Sequence, residues 1–240
     1  PGAASRWWLH HSLERLADAL KKSGSGLHVR RGPSTDALLS LAHETGARRV
    51  VWNRLYEPAL AARDARIERE LRAAGLEVET FNAALFFEPW ETQTAQAGPY
   101  RVFTPFWRSC AARLDTLPLP RPAPRHIEGL ESKAPGLSVA DLGLLPKVRW
   151  DTGLAAAWTP GEDGAQRRLE EFCAAALAGY DTGRNRPDQP GSSRLSPFLH
   201  FGEIGPRQCL AAVRADHVDE DLRAVAAGLH RAGRGHVARV

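Results

Sequence analysis

Apolar positions recur at helical spacing from the start of the chain. Over residues 6–22, Trp7, Leu9 or His10, Leu13, Leu16, Ala17 and Leu20 share one face, and the pattern stops at Lys21-Lys22 and the Ser23-Gly24-Ser25-Gly26 break. Leu27 to Arg31 then reads as a short strand, stopped by Gly32-Pro33. Ser34 caps a helix whose apolar face is Leu38, Leu41 and Ala42, closing near Gly46. Arg49 to Asn53 reads as a buried strand, Ala61 to Ala74 as a charged amphipathic helix ended by Gly75, and Leu76 to Phe81 as a strand alternating at period two. Helix and strand in turn predict an α/β fold, a parallel sheet with helices on its faces.

The middle of the chain changes character. Leu117-Pro118-Leu119-Pro120-Arg121-Pro122-Ala123-Pro124 cannot continue a helix or a strand, because four of its residues lack an N–H and have a fixed φ. From there to about Pro160 the pattern is irregular and predicts a long connector laid over a surface. Helical spacing resumes near Gly164, with Leu169, Phe172, Cys173, Ala176 and Leu177 on one face. A polar loop from Asp181 to Gly191 follows, then helices beginning at Ser196-Pro197 and Gly205-Pro206. The division this predicts is 1–114 as the α/β domain, 115–160 as the connector and 161–240 as the start of a helical domain.

Composition narrows the classes. The 240 residues are 43% hydrophobic and 25% charged, with mean hydropathy −0.36, which is the balance of a globular protein. No apolar run approaches the roughly 18–20 residues that span a bilayer. Arg6, His10, His11 and Glu14 interrupt the opening residues where a secretory leader would be apolar. The chain starts at Pro1 and contains no methionine, so a piece of a longer protein is expected. Cys110, Cys173 and Cys209 are odd in number and in no C-x-x-C pair, which excludes a disulfide framework or a cysteine-rich zinc site and suits a reducing cytoplasm. No metal site is expected, and a monomer is. The charge of +4 and pI near 9.3 permit a polyanionic partner without requiring one.

The stretch that carries chemistry is Tyr180 to Arg207, YDTGRNRPDQPGSSRLSPFLHFGEIGPR. Ser196-Pro197 is a strong helix start, serine at the cap and proline at the first helical position. Ser192, Ser193 and Arg194 just before it supply hydroxyls, backbone N–H groups and a guanidinium. Such a helix start is an anion site that suits a diphosphate, with the dipole contributing about 0.3–1 kcal/mol per charge. Spacing alone favours the plainer alternative, a well-capped helix after a loop.

Those residues resemble the flavin-binding signature of the DNA photolyase and cryptochrome family: SSRLSPFLHFGEI, with a tyrosine twelve positions before Ser192. GPYRVFTPFWR (98–108), WNRLYEPALAARD (52–64) and GAASRWWLHHSL near the start match the same family, in order and at family-like spacing, as far as about Asp221. The resemblance implies a class-I-like photolyase truncated at both ends, with its first strand before Pro1 and most of a helical FAD-binding domain after the match. It implies FAD as cofactor, held by Tyr180, Ser192, Ser193, Arg194, Leu195 and Ser196, with Leu195 acting through its backbone. It implies damaged DNA as partner, with Arg184 and Arg186 as phosphate contacts, Arg184 the better placed; solvated loop arginines are the equal alternative. The reaction implied is light-driven splitting of pyrimidine dimers, with this chain alone inactive. A cryptochrome photoreceptor and a plain nucleotide-binding module remain alternatives.

Further expectations follow from the same resemblance. Asn53, Tyr56 and Glu57 lie past a strand end, where the family binds an antenna chromophore, a folate or a deazaflavin; Leu55, Ala59 and Leu60 stand where some relatives have polar contacts. Val102, Phe103, Phe106 and Trp107 would pack the end of the α/β domain, with Thr104-Pro105 starting a helix. Trp7, Trp8, Trp52, Trp90, Trp107, Trp150 and Trp158 would serve packing rather than electron relay. The small, basic stretch 226–240 matches nothing in the family, and His230 and His236 within it are expected in a disordered terminus.

Overall fold

The computed structural model describes residues 2–129 and 136–216. Its helices are α1 (Ala3–Lys22), α2 (Ser34–Thr45), α3 (Pro58–Ala73), α4 (Phe103–Ala111), α5 (Thr152–Ala157), α6 (Glu162–Ala175), α7 (Tyr180–Gly183), α8 (Ser196–Phe201) and α9 (Pro206–Asp216); its strands are β1 (Arg49–Asn53) and β2 (Glu77–Phe81). Among the described residues no helix is long and apolar enough to cross a membrane. The stretch 226–240, with His230 and His236, lies outside them. The chain forms two compact units that interleave: Pro1–Ala84 with Pro122–Glu162, and Leu85–Arg121 with Asp163–Val240. The contiguous division at 114 and 160 does not follow these units.

In the first unit β1 and β2 pair in parallel, Arg49 opposite Glu77 through Asn53 opposite Phe81. A parallel pair needs a crossover, which α3 supplies. Alternation puts Val50, Trp52 and Val78 against Ile67 and Leu71 of α3 and Leu38 and Leu39 of α2. The helices that make this core share one face of the sheet. Val51 and Phe81, on the other, are exposed. The strand expected to be buried is therefore covered on one side only.

Local signals are met with small displacements. α2 begins at Ser34 itself, with Pro33 in the cap position and no side-chain cap bond, and Gly46 closes it at φ 70° as the sequence predicts. α3 begins at Pro58, three residues before the predicted start, because proline's fixed φ is already helical. Leu27 to Arg31 forms no strand. Val29 makes one isolated antiparallel bridge, to Leu137 in an irregular segment, so no ladder is there to extend it.

The long helix α1 is anchored by tryptophan. Trp7 and Trp8 are buried, and Trp8 meets Trp158 edge-on with centroids 5.5 Å apart. The Trp7 indole N–H donates to Asp151 Oδ2 at 3.1 Å. Arg6 Nη2 donates to the Gly143 carbonyl at 2.7 Å. Gly161, at φ 105°, lets the backbone pass so close to the Arg15 stem that a Cβ there would lie 2.9 Å from Arg15 Cβ. The predicted connector thus lies along α1 from residue 141 to 161. Burial pushes the Asp151 carboxyl up, but hydrogen bonds from its own N–H, from Arg149 and from Trp7 outweigh that and hold it below the ordinary carboxylate range.

In the second unit the strap Leu85–Arg121 is tied by arginines. Arg207 Nη2 donates to the Phe86 carbonyl at 2.9 Å and Arg214 pairs with Asp115 at 2.6 Å. Arg113 lies over the Phe87 ring, 4.3 Å from its centroid, and donates to the Glu91 carbonyl. Helix α4 starts at Phe103, with Val102 at the cap. Phe106 and Trp107 are half-buried, whereas Val102 and Phe103 are exposed, Phe103 stacking on Trp107. This segment belongs to the second unit. Trp90 and Trp150 are also exposed rather than packed.

Two outcomes follow. Leu71→Ala, which empties a fully buried position between α3 and the sheet, should cost about 2–5 kcal/mol in thermal or urea denaturation. Asp151 contributes stability that is present at neutral pH and lost as pH falls below about 4, through its lowered folded-state value. Asp151→Asn should flatten that acid limb in melting curves taken across pH.

Candidate functional site

The polar loop 184–190 is closed by two glycines. Their backbones touch: a Cβ on Gly191 would collide with the carbonyl carbon, oxygen and Cα of Gly183. Only glycine fits there. The contact brings α7, which begins at Tyr180, beside the serine run that follows Gly191. Nothing in the composition of the loop marked these glycines, because a close approach between residues eight apart leaves no periodic signal.

Inside the loop the two arginines differ. Arg186 is held by Asp188 through two bonds, Nε to Oδ1 at 2.9 Å and Nη2 to Oδ2 at 2.8 Å. That pairing raises the guanidinium's pKa and lowers the carboxyl's. Arg184 lies over the Tyr180 ring, 5.4 Å from its centroid, at cation–π range. The other side of this ring assembly is Phe172, edge-on to Tyr180 at 5.5 Å. Tyr180 is half-buried, fixed by an arginine and a phenylalanine.

The run Ser192 to Ser196 presents donors. Ser192, Arg194 and Ser196 are exposed, Ser193 is half-buried, and Leu195 is 5% exposed. Leu195 thus anchors the run by its side chain, as expected of a residue whose backbone matters. Arg194 stands at φ 54°, a left-handed value that costs a non-glycine residue of order 1–3 kcal/mol. Leu195 follows in the right-handed region, φ −83° and ψ −7°. A positive-φ residue beside a right-handed one turns successive N–H groups to one side, the concavity that holds anions.

The helix start differs from the expected cap. α8 begins at Ser196 with Leu195 at the cap position, and no side chain caps it. Pro197 is second rather than first. Among the described residues no backbone acceptor takes the N–H of Ser192, Ser193, Leu195 or Ser196. The plain alternative, serine consumed in capping, is not what the chain does. With six residues α8 is too short to add much dipole, so the donors are the hydroxyls and amides themselves. At its other end Gly202, at φ 72°, and the bonds Glu203 N–H to Phe198 carbonyl and Gly202 N–H to Leu199 carbonyl close the helix in a Schellman turn. The hydroxyls of this run and the amides of Ser192, Ser193, Leu195 and Ser196, with no carboxylate among residues 191–196, suit a diphosphate such as that of FAD.

At the sheet edge Asn53 and Glu57 are exposed and Tyr56 is half-buried. They do not line the cavity of about 600 Å³ in the first unit, which runs between α1 and residues 139–160 and is bounded by Trp7, His11, Arg15, Asp18 and Trp158. No periodicity marks that cavity, since its far wall comes from the irregular segment.

Comparisons with known proteins agree with this architecture. The family model described as DNA photolyase matches residues 1–125. A deoxyribodipyrimidine photo-lyase of Agrobacterium fabrum is 41% identical over 206 residues, covering 85% of this chain and 43% of that protein. Cryptochrome-2 of Arabidopsis thaliana is 32% identical over 225 residues, 91% of this chain and 36% of its own length. The chain therefore spans less than half the length of these curated relatives. The crystal structure of a bacterial class III photolyase from Agrobacterium tumefaciens superposes with a TM-score of 0.88 at 38% identity, over 96% of this chain and 49% of that one. By the family model and by the fold, the chain belongs to the DNA photolyase family.

Proposed function

We propose that the chain is the antenna-side half, with the opening of the flavin domain, of a photolyase that repairs pyrimidine dimers in DNA using FAD. The observation that carries this is the run of donors from Ser192 to Ser196, with Arg194 held at φ 54° and, among the described residues, no backbone acceptor for the N–H of Ser192, Ser193, Leu195 or Ser196. Ser192, Ser193 and Ser196 donate from hydroxyls and amides to the FAD diphosphate. Arg194 and Leu195 contribute main-chain N–H groups, and Tyr180 packs along the cofactor. When bound, the flavin supplies light absorption and the electron that splits the dimer. The chain's own work is to position it and to offer a basic surface to a duplex from which the lesion is extruded. An antenna chromophore near Asn53, Tyr56 and Glu57 is part of the same reading. A protein of the relatives' length is required, and this chain alone is inactive. Cryptochrome-2's 32% identity over most of the chain supports a photoreceptor as the second reading; a repair assay on the relatives'-length protein separates the two.

Two outcomes test this. In that longer protein Ser193→Ala with Ser196→Ala should lower the flavin that co-purifies. Arg194→Gly, which keeps the positive φ, should retain most of it, and Arg194→Pro, which forbids that φ, should lose it. Flavin content unchanged in every variant would sink the cradle. On DNA, Arg184→Ala should shallow the plot of log affinity against log salt by about one phosphate contact. Arg186→Ala should change it less, its charge being matched by Asp188, and Asp188→Asn should tighten binding by releasing Arg186. Fluorescence anisotropy of a dimer-containing duplex across salt reads all three.

A further inference from the structure

The first turns of α1 carry a cluster that the flavin reading does not use. His10, His11 and Glu14 each offer a ligand atom, and these atoms lie within 4.8 Å of one another. Helical spacing makes the group: Glu14 stands four residues after His10 and three after His11, so one carboxylate reaches both rings. His10 Nε2 is 3.2 Å from Glu14 Oε1, and His11 Nδ1 is 3.1 Å from Glu14 Oε2. A tetrahedral zinc with bonds of about 2.0–2.1 Å spaces its ligand atoms by roughly 3.3 Å, so one edge of such a site, from either ring to its own Glu14 oxygen, already has its dimensions.

Three independent features surround it. His10 is 5% exposed and its Nδ1 has no hydrogen-bond partner, an expense that an apolar side chain in the same position would avoid. His11 is held in orientation from behind, its ring edge-on to Trp7 at 4.7 Å, and Trp7 in turn is fixed by its bond to Asp151. Finally, His11 and Glu14 line the 600 Å³ cavity, which continues to Arg15, Asp18 and Trp158.

We propose that His10 Nε2, His11 Nδ1 and one Glu14 oxygen bind a divalent transition metal, zinc by preference for this nitrogen and oxygen set, with its fourth position open to the cavity. Three protein ligands with one open position distinguish it from a closed structural site. It stands apart from the serine run and from the flavin reading.

The test is titration of the chelator-treated chain with Zn²⁺ by calorimetry, with Co²⁺ as an optical probe. The expected result is a single equivalent bound, a visible Co²⁺ spectrum of low-symmetry coordination, and a melting temperature raised by zinc. His11→Ala and Glu14→Gln should each weaken binding by at least about tenfold, and His28→Ala, outside the cluster, should leave it unchanged. Should His11→Ala lose helical circular dichroism, Glu14→Gln, an isosteric change at a half-exposed side chain, decides alone. No stoichiometric binding to the unmutated chain, or equal binding by Glu14→Gln, overturns the site.

Discussion

Two peptide backbones in contact, at Gly183 and Gly191, determine whether the second unit has a site at all. Gly191 has no room for a Cβ, and one on Gly183 would press on the Gly191 Cα at 3.3 Å. With them touching, a loop of polar residues projects as a closed excursion and its two stems run side by side. Tyr180 is on one stem and Ser192 to Ser196 on the other. A methyl group on Gly191 would part the stems and leave each half of the cradle intact in composition but without its counterpart. The rest of the arrangement hangs from this: Arg184 can rest on Tyr180 because the loop turns back immediately, and Leu195 can sink its side chain because the chain re-enters the unit at that point.

Much of the first unit was legible in the sequence because its signals are local and repeated. Two strands and three helices stand where period and punctuation put them, to within three residues. The errors share a cause. Leu27 to Arg31 has the composition of a strand, but a strand exists only with a partner, and composition does not name one. Val51 belongs to an apolar run read as buried, yet the run could not reveal that α2 and α3 meet one face of the sheet only. Val102 and Phe103 look like core by hydrophobicity and are exposed.

The candidate site was legible in a different way. Residues 192–196 stood out as donors and as a family signature, and among the described residues no backbone acceptor takes the N–H of Ser192, Ser193, Leu195 or Ser196. The geometry that makes them a concavity was not legible: a positive φ at an arginine has no compositional mark, since glycine or asparagine is the residue that usually announces it. The His10, His11, Glu14 group shows the same limit from the other side. Its spacing was plain in the sequence, but an i, i+1, i+4 trio reads as ordinary helix decoration until burial and a neighbouring cavity are known.

The interleaving of the two units has a consequence for how the chain comes into being. Synthesis delivers Leu85–Arg121 before any of the helices it joins, and it delivers residues 122–162 last to a unit whose sheet is already made. Neither unit can close on the ribosome in simple order. The strap carrying Phe86 and Asp115 must wait for Arg207 and Arg214, which emerge more than eighty residues after Arg121. Nascent protein arrested in that interval exposes aromatic side chains to any holdase nearby, so the topology itself sets a window of vulnerability between translation and folding.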